Sequence, residues 1–253
     1  DAVVIDCEDA TPPSKKADGR RNARQLGAGL AAGGVAVFVR VNAVGSPWFE
    51  DDLTTGVPEG AAGIVLPMVE STGQLDVLAD VLVANDLTEL KVIAGLETAA
   101  GVAGARQLLE HAAVDGGYFG AEDFVADMGG VRTESNAEVV VARSLVALAG
   151  RLARVPVLDQ VVVAYKDDDR FRREAQEARA MGFAGKLCIH PAQVAIARDV
   201  FSPSPEEVEQ ARRLVAAHEA AEQEGRAVVV VDDKMVDGPL VAQARKVIAA
   251  AED

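Results

Sequence analysis

The amino-acid sequence predicts an α/β fold, a TIM (β/α)8 barrel, on two observations. Seven short apolar runs alternate with helical segments of about ten to twenty residues, the rhythm of parallel βαβ units. Nearly every run also stops at a polar side chain, as expected when the ends of all strands meet at one rim. An open doubly wound sheet would gather such residues at a single switch point. A barrel needs eight strands, and the first is expected upstream of Asp1, which follows no initiator Met and leads directly into a strand. The expected organisation is an N-terminally incomplete barrel over residues 1–203 and a C-terminal helical arm or lid over residues 204–253, with the first strand missing from this chain.

The elements follow in order. Ala2 to Asp6 is the first apolar run, ending in the acidic segment Asp6, Cys7, Glu8, Asp9. Ser14, behind two prolines, can cap a helix that runs to about Leu30. Ala36 to Asn42 reads as a strand ending in Arg40 and Asn42, and Gly45 to Pro58 as a loop with a short surface helix near Trp48, Glu50, Asp51 and Asp52. Gly63 to Pro67 is a strand and Thr72 to Ala84 a helix. Lys91 to Glu97 is a strand, Thr98 to Ala113 an alanine-rich amphipathic segment, and Gly117 to Asp123 a strand that meets Glu122 and Asp123. A helix opened by Ser135 runs to about Ala153, and Val157 to Ala164 is a strand. A helix from Arg170 stops at Gly182, a natural C-cap. Gly185 to Ile189 is the last strand of the series, closed by His190 and Pro191. Beyond Val200 the rhythm ceases: a charged helix from Ser204 to about Glu224, a short strand Ala227 to Val231, and a final helix from about Leu240.

Composition excludes several functions. The chain has 253 residues, 49% of them hydrophobic, enough for one large core. A net charge of −15 argues against nucleic acid, whose binders need a basic stripe to displace counterions. An anionic ligand therefore has to be drawn in locally, by a few arginines and a metal. Cys7 and Cys188 each sit in an apolar run and read as small buried hydrophobes rather than a disulfide. No run approaches the length of a membrane span and no signal-peptide pattern is present, so the expected location is cytoplasmic.

The chemistry centres on Lys91 to Asp123, where an apolar run twice delivers a carboxylate. Glu97 and Asp123, from neighbouring parallel strands, can share one hard cation, and two oxygen ligands leave positions for water and substrate, the usual way of holding Mg2+. As an alternative, either acid can serve as a helix cap or a surface acid. Arg40 at a strand end calls for a partner: a substrate carboxylate held by two parallel hydrogen bonds, or Glu8 or Asp9 from the preceding strand end. Glu8 and Asp9 can equally accept from metal-bound water. Lys15, Lys16, Arg20, Arg21 and Arg24 form the one dense basic cluster, either a solvated helix face or, through Lys15 and Arg20, a seat for cofactor phosphates. Gly27, Gly29 and Ala32 match a dinucleotide fingerprint, but after a helix and before a strand, the reverse of the order that seats pyrophosphate on a helix N-terminus. The three histidines lack metal-ligand spacing, which disfavours zinc.

Seven stretches in order then carry a resemblance: Val4 to Ala10, Val39-Arg40-Val41-Asn42, Ile64 to Pro67, Leu96-Glu97-Thr98, Phe119 to Phe124, Leu187 to Pro191, and Lys234 to Asp237. Together they resemble the citrate lyase beta-subunit family of acyl-CoA lyases, which are similar to malyl-CoA lyases and, more distantly, to class II pyruvate aldolases. The resemblance implies a TIM barrel, Mg2+ on Glu97 and Asp123, Arg40 on the substrate carboxylate, and Asp237 on the arm as catalytic acid/base toward a CoA thioester. It also implies a homo-oligomer, trimer or hexamer, with lyase partner subunits as an option. Met68 departs from the family, which commonly has Lys there, and the family's first strand, with its Pro and Arg residues, lies upstream of Asp1. The reaction expected is cleavage of a 3-hydroxy-3-carboxyacyl thioester, citryl-CoA or malyl-CoA in type, to acetyl-CoA and a 2-oxo acid such as oxaloacetate or glyoxylate. The alternatives are a malyl-CoA thioesterase or synthase-type activity at the same site and a non-catalytic acyl-thioester-binding subunit.

Overall fold

The computed structural model describes residues 2–252. Seven strands form one curled, all-parallel sheet in sequence order, as a TIM-like barrel requires: β1 (Ala2–Asp6), β2 (Ala36–Arg40), β3 (Gly63–Leu66), β4 (Lys91–Leu96), β5 (Gly116–Phe119), β6 (Val157–Asp159) and β7 (Gly185–Lys186). Each strand pairs with the next, from Asp6 opposite Arg40 to Asp159 opposite Lys186, so all seven C-terminal ends point the same way. Strands β3 and β5 are buried along their whole length, which is why Gly-Ile-Val-Leu and Gly-Gly-Tyr-Phe read as continuous apolar runs rather than alternating ones.

Helices α1 (Lys16–Ala32), α2 (Phe49–Asp51) and α3 (Thr72–Ala84) occur where the sequence places them, and α3 starts with a capping box between Ser71 and Gln74. Elsewhere the boundaries differ, each for a local reason. The segment expected as one helix from Thr98 splits at Gly104 into α4 (Ala99–Ala103) and α5 (Ala105–Leu109). The Gly-Ala-Glu-Asp segment leaves β5 at once and forms α6 (Ala121–Asp127), so Asp123 stands in a first helical turn rather than at a strand end. Helix α7 (Val140–Ala153) starts five residues later than Ser135, because Asn136 adopts a left-handed turn with φ 54°. β6 and β7 are shorter than their apolar runs: the ladder continues only as far as the bond from Leu187 N–H to Asp159 O.

The chain divides into two units. One runs through Val161 and includes Ala178–Leu187; the other comprises Val162–Glu177 and the chain from Cys188 onward. The second unit has its own small core, where Phe171 and Ala175 of α8 (Asp168–Met181) pack with Val162, and with Val200 of α9 (Pro191–Phe201). Helix α9, not foreseen from the sequence, is capped by His190, whose Nδ1 accepts from Ala192 N–H. Helices α10 (Pro205–Gln223) and α11 (Gly238–Ala249) pack together. Between them the single expected strand proves to be a hairpin, β8 (Val229–Val231) with β9 (Lys234–Val236), turned by Asp232 and Asp233 at positive φ. Two positive φ values are what a two-residue hairpin turn needs, but Asp-Asp is a weak signal for it. Among the described residues there is no disulfide, and no helix is long and apolar enough to cross a membrane.

One polar lock holds the segment after β1. Lys16, expected on a solvated face, is buried; its Nζ donates to Cys7 O at 2.9 Å, Glu8 O at 2.8 Å and Asn42 Oδ1 at 2.7 Å, and lies 5.0 Å from the centre of the Trp48 ring. Asn42 N–H donates to the fully buried Asp52, which also pairs with Arg20. Three donors on one ammonium are all used, so the lock cannot be half removed. Lys16→Met is expected to cost about 3 kcal/mol of folding stability by leaving Asn42 Oδ1 without a donor and taking the ammonium from Cys7 O and Glu8 O, which keep only Asn42 Nδ2 and Thr11 N–H. Urea unfolding checks this, and a loss well under about 1 kcal/mol would mean that water takes over the ammonium's place.

Candidate functional site

The parallel ladder delivers charged groups to the C-terminal ends of the strands. Asp6 and Arg40 end β1 and β2 and stand opposite each other in register. Glu97 follows the last residue of β4, and Asp123 lies in the first turn after β5. Arg40 is held firmly: Nε donates to Asp6 Oδ1 at 2.9 Å, Nη2 to Asp6 Oδ2 at 2.5 Å, and Nη1 lies 3.0 Å from Glu8 Oε2. Of the partners expected for Arg40, Glu8 is present, while among the described residues Asp9 makes no ion pair with it and Asp6, the residue opposite in register, takes the larger share. A guanidinium has five N–H donors, so one on each terminal nitrogen remains for a further acceptor.

The acids differ in how well that one cation serves them. Burial alone would raise Asp6, but the hydrogen bonds and charge of Arg40 overcome it and hold the carboxyl below its usual range. Glu8 is pushed up to about 7, chiefly by burial, with Asp9, Glu97 and Asp6 adding repulsion against the pull of Arg40. Glu97 is raised by burial, opposed by the Met68 N–H that donates to its Oε2 at 3.0 Å and by the nearby Tyr118 hydroxyl, and raised further by Asp123. Asp123 is raised by burial and by Asp9. Among the described residues Asp123 makes no hydrogen bond or ion pair. Carboxylates that repel one another around one arginine already shared by Asp6 and Glu8 are short of positive charge.

Glu97 sits in a seat made by glycines. A Cβ on Gly120 would fall 2.4 Å from Glu97 Oε1, and one on Gly95 would fall 2.8 Å from Oε2. Met68, whose N–H reaches the same carboxylate, holds a left-handed φ of 53°, the kind of local strain that surrounding structure has to maintain. The donors fit a hard cation: they are oxygen only, and one is unpaired. Among the described residues no three His, Cys, Asp or Glu side chains converge on one point, so a cation here would rest on Glu97 and Asp123 with its other positions open.

The remaining expected site residues are placed as follows. Lys15 is exposed with a loose 3.7 Å pair to Asp18, whereas Arg20 is largely covered and bonded to Asp51 and Asp52 at 3.1 Å each, so a phosphate would have to compete for it. Asp9 is exposed. Asp237 belongs to the second unit, where its carboxylate caps α11 by accepting from Leu240 N–H at 3.4 Å. Sequence reasoning passed over Asp6, Asp159 and Lys186, although each ends a strand as Arg40 does. Asp159, fully buried, receives two N–H bonds from Arg143 and one from Lys186 at 2.6 Å, tying α7, β6 and β7 together. Nothing in the sequence marks Tyr118 or the Met68 N–H as neighbours of Glu97.

Fold and rim together define a class: a TIM-like α/β protein whose strand ends present oxygen donors short of a cation. The profile of the HpcH/HpaI aldolase/citrate lyase family matches residues 1–191, and the chain belongs to that family. It is 47% identical to the citrate lyase subunit beta-like protein of Deinococcus radiodurans, over 98% of this chain and 88% of that one. It is 34% identical to the (3S)-malyl-CoA thioesterase of Cereibacter sphaeroides, over 100% of this chain and 87% of that one. Among solved structures, protein CitE from Mycobacterium tuberculosis in complex with magnesium, acetoacetate and coenzyme A aligns with a TM-score of 0.83 at 28% identity, over 100% of this chain and 90% of that one.

Two measurements check this geometry. Gly120 has φ −103° and ψ 96°, open to any residue, so Gly120→Ala should fold normally yet displace Glu97 and weaken Mg2+ binding about tenfold or more by calorimetry. Wild-type affinity in this variant would show that Glu97 does not need its seat. The second is a pH dependence. Glu8 rises from 4.5 to about 7 on folding, so its contribution to stability is present below pH 4.5 and lost as pH climbs through 7; Glu97 and Asp123 shift in the same direction. A divalent cation held among these carboxyls would relieve that repulsion, so the rise in Tm on adding Mg2+ is expected to be larger near pH 8 than near pH 5. An equal rise at both would mean that binding is insensitive to these carboxyls.

Proposed function

We propose that this chain is a Mg2+-dependent acyl-CoA lyase that cleaves a 3-hydroxy-3-carboxyacyl thioester of the citryl-CoA or malyl-CoA type to acetyl-CoA and a 2-oxo acid such as oxaloacetate or glyoxylate. The observation that carries the reading is the rim itself, with Glu97, Asp123, Glu8 and Asp9 repelling one another beside Arg40. The family supports it, as does the complex of CitE with magnesium and coenzyme A.

Cleavage breaks the bond between C2 and C3 of the acyl chain. The C3 hydroxyl loses its proton and its oxygen forms the carbonyl of the 2-oxo acid; the bonding pair passes to the thioester as an enolate, and a proton returns to C2 to give the acetyl thioester. Glu97 and Asp123 would hold magnesium, which when bound would supply positive charge for the oxygens on which negative charge builds. Arg40, made rigid by Asp6 and Glu8, turns its remaining N–H groups to the substrate carboxylate. Glu8 and Asp9 accept from water and substrate hydroxyls around the cation, and Lys15 and Arg20 face the CoA phosphates. Asp237 moves the proton at C2, acting from a neighbouring copy in a trimer or hexamer, with residues 204–253 as the lid that carries it.

A second reading, hydrolysis of the thioester at the same site, is favoured by the likeness to a (3S)-malyl-CoA thioesterase. Incubating the protein with malyl-CoA or citryl-CoA and Mg2+ separates the two: a lyase releases 2-oxo acid and acetyl-CoA without free thiol, a thioesterase releases free CoA thiol without 2-oxo acid. Neither product, with Mg2+ binding intact, would favour a non-catalytic subunit.

Glu97→Gln is expected to lower turnover at least about a hundredfold and to abolish the calorimetric Mg2+ signal while the protein stays folded. Asp237→Asn should keep Mg2+ binding and lose turnover. Mixing it with Glu97→Gln protein under conditions that exchange subunits should restore part of the activity; full activity in Asp237→Asn alone would leave the residue as a helix cap.

A further inference from the structure

We propose that Tyr118 is a positioning residue for Glu97: its buried hydroxyl donates to that carboxylate when a divalent cation draws it into place, and so decides which carboxylate oxygen faces the cation. The proposal rests on the reading of Glu97 as a cation ligand. Gly95 of β4 and Tyr118 of β5 stand opposite each other in register, and the two-residue alternation of strands puts Glu97 on the face of Gly95 and Gly120 on the face of Tyr118. A Cβ on Gly95 would fall 2.7 Å from the Tyr118 hydroxyl and 2.8 Å from Glu97 Oε2. The two oxygens therefore face each other across the space left by a glycine.

The Tyr118 ring is buried, and its hydroxyl is shut off from water without a hydrogen bond of acceptable geometry. Glu97 lies close by without meeting it at good hydrogen-bond geometry, and burial first, then the carboxylate's charge and its hydrogen-bonding pull, raise the phenol well above its ordinary range. A buried hydroxyl with no partner is destabilising, and such groups call for a state of the protein in which they are satisfied. Met68 N–H already holds Glu97 Oε2 at 3.0 Å. A second donor on the same oxygen would pin it and leave Oε1 for the cation, as outer partners commonly orient the ligands of a metal.

Tyr118→Phe removes only the hydroxyl, and the chain's other tyrosine, Tyr165, supplies the control Tyr165→Phe. Mg2+ binding to the full chain is followed by calorimetry, by Tm with and without Mg2+, and by the tyrosine ultraviolet difference spectrum. The expected result is about a tenfold weaker Mg2+ affinity in Tyr118→Phe. Its metal-free Tm should be equal to or above wild type, because an unsatisfied group is gone. The Mg2+-induced difference spectrum should be present in wild type and Tyr165→Phe and absent in Tyr118→Phe. Unchanged affinity and spectrum would overturn the proposal, and so would an equal loss of Tm with and without Mg2+, which marks a core residue only. Wild-type protein that binds no Mg2+ would instead overturn the reading of Glu97, and this proposal with it.

Discussion

Repulsion between carboxylates gathered at one rim is the constraint on which the rest of this structure depends. A parallel ladder in strict sequence order brings Asp6 and Glu8 after β1, Glu97 after β4 and Asp123 after β5 to the same edge of the sheet, the C-terminal ends of its strands. Arg40 satisfies Asp6 and shares a bond with Glu8, and the other carboxyls are held above their ordinary pKa. Such an arrangement stores unfavourable energy unless something cationic relieves it.

The surroundings are built to keep those groups in place. Lys16 and Asn42 bind the carbonyls that follow β1, so the segment carrying Glu8 has no freedom to swing away from Arg40. The fully buried Asp52 braces Asn42 and receives Arg20 from α1. On the other side Met68 accepts a left-handed backbone to aim its N–H at Glu97, and two glycines remove the methyl groups that would collide with that carboxylate. Rigidity at this level lets a group keep an unfavourable neighbour instead of rotating into solvent. At β6 and β7 the same rim is closed by a buried ion cluster, Arg143, Asp159 and Lys186, which serves the sheet.

Much of this was legible in the residues. Strand order and parallel pairing follow from apolar runs alternating with helical segments, and the rule that a run stops at a polar group placed Arg40 and Glu97 at the C-terminal ends of their strands. It misjudged Asp123 by a helical turn, since Gly-Ala-Glu-Asp continues an apolar run on paper but starts α6 in space. It grouped Lys16 with four other basic residues because sequence proximity says nothing of depth; Lys15 is exposed while Lys16 next to it is buried. Asp6 was visible as the end of the first run, yet its pairing with Arg40 depends on strand register, and a shift of one residue would have turned it to the other face.

What the sequence determined by itself is the fold class, the oxygen-rich character of the rim and the family, because periodicity, strand-end residues and ordered motifs are local properties that neighbours along the chain record. Tertiary structure alone decided which charges meet. The engagement of Arg40 by Asp6, 34 positions away, the burial of Lys16 against Asn42, 26 positions away, the seat that Gly120 leaves for Glu97 and the nearness of Tyr118 all depend on how separate strands meet. Electrostatic energy depends on distance and burial, and neither is written in the order of the residues.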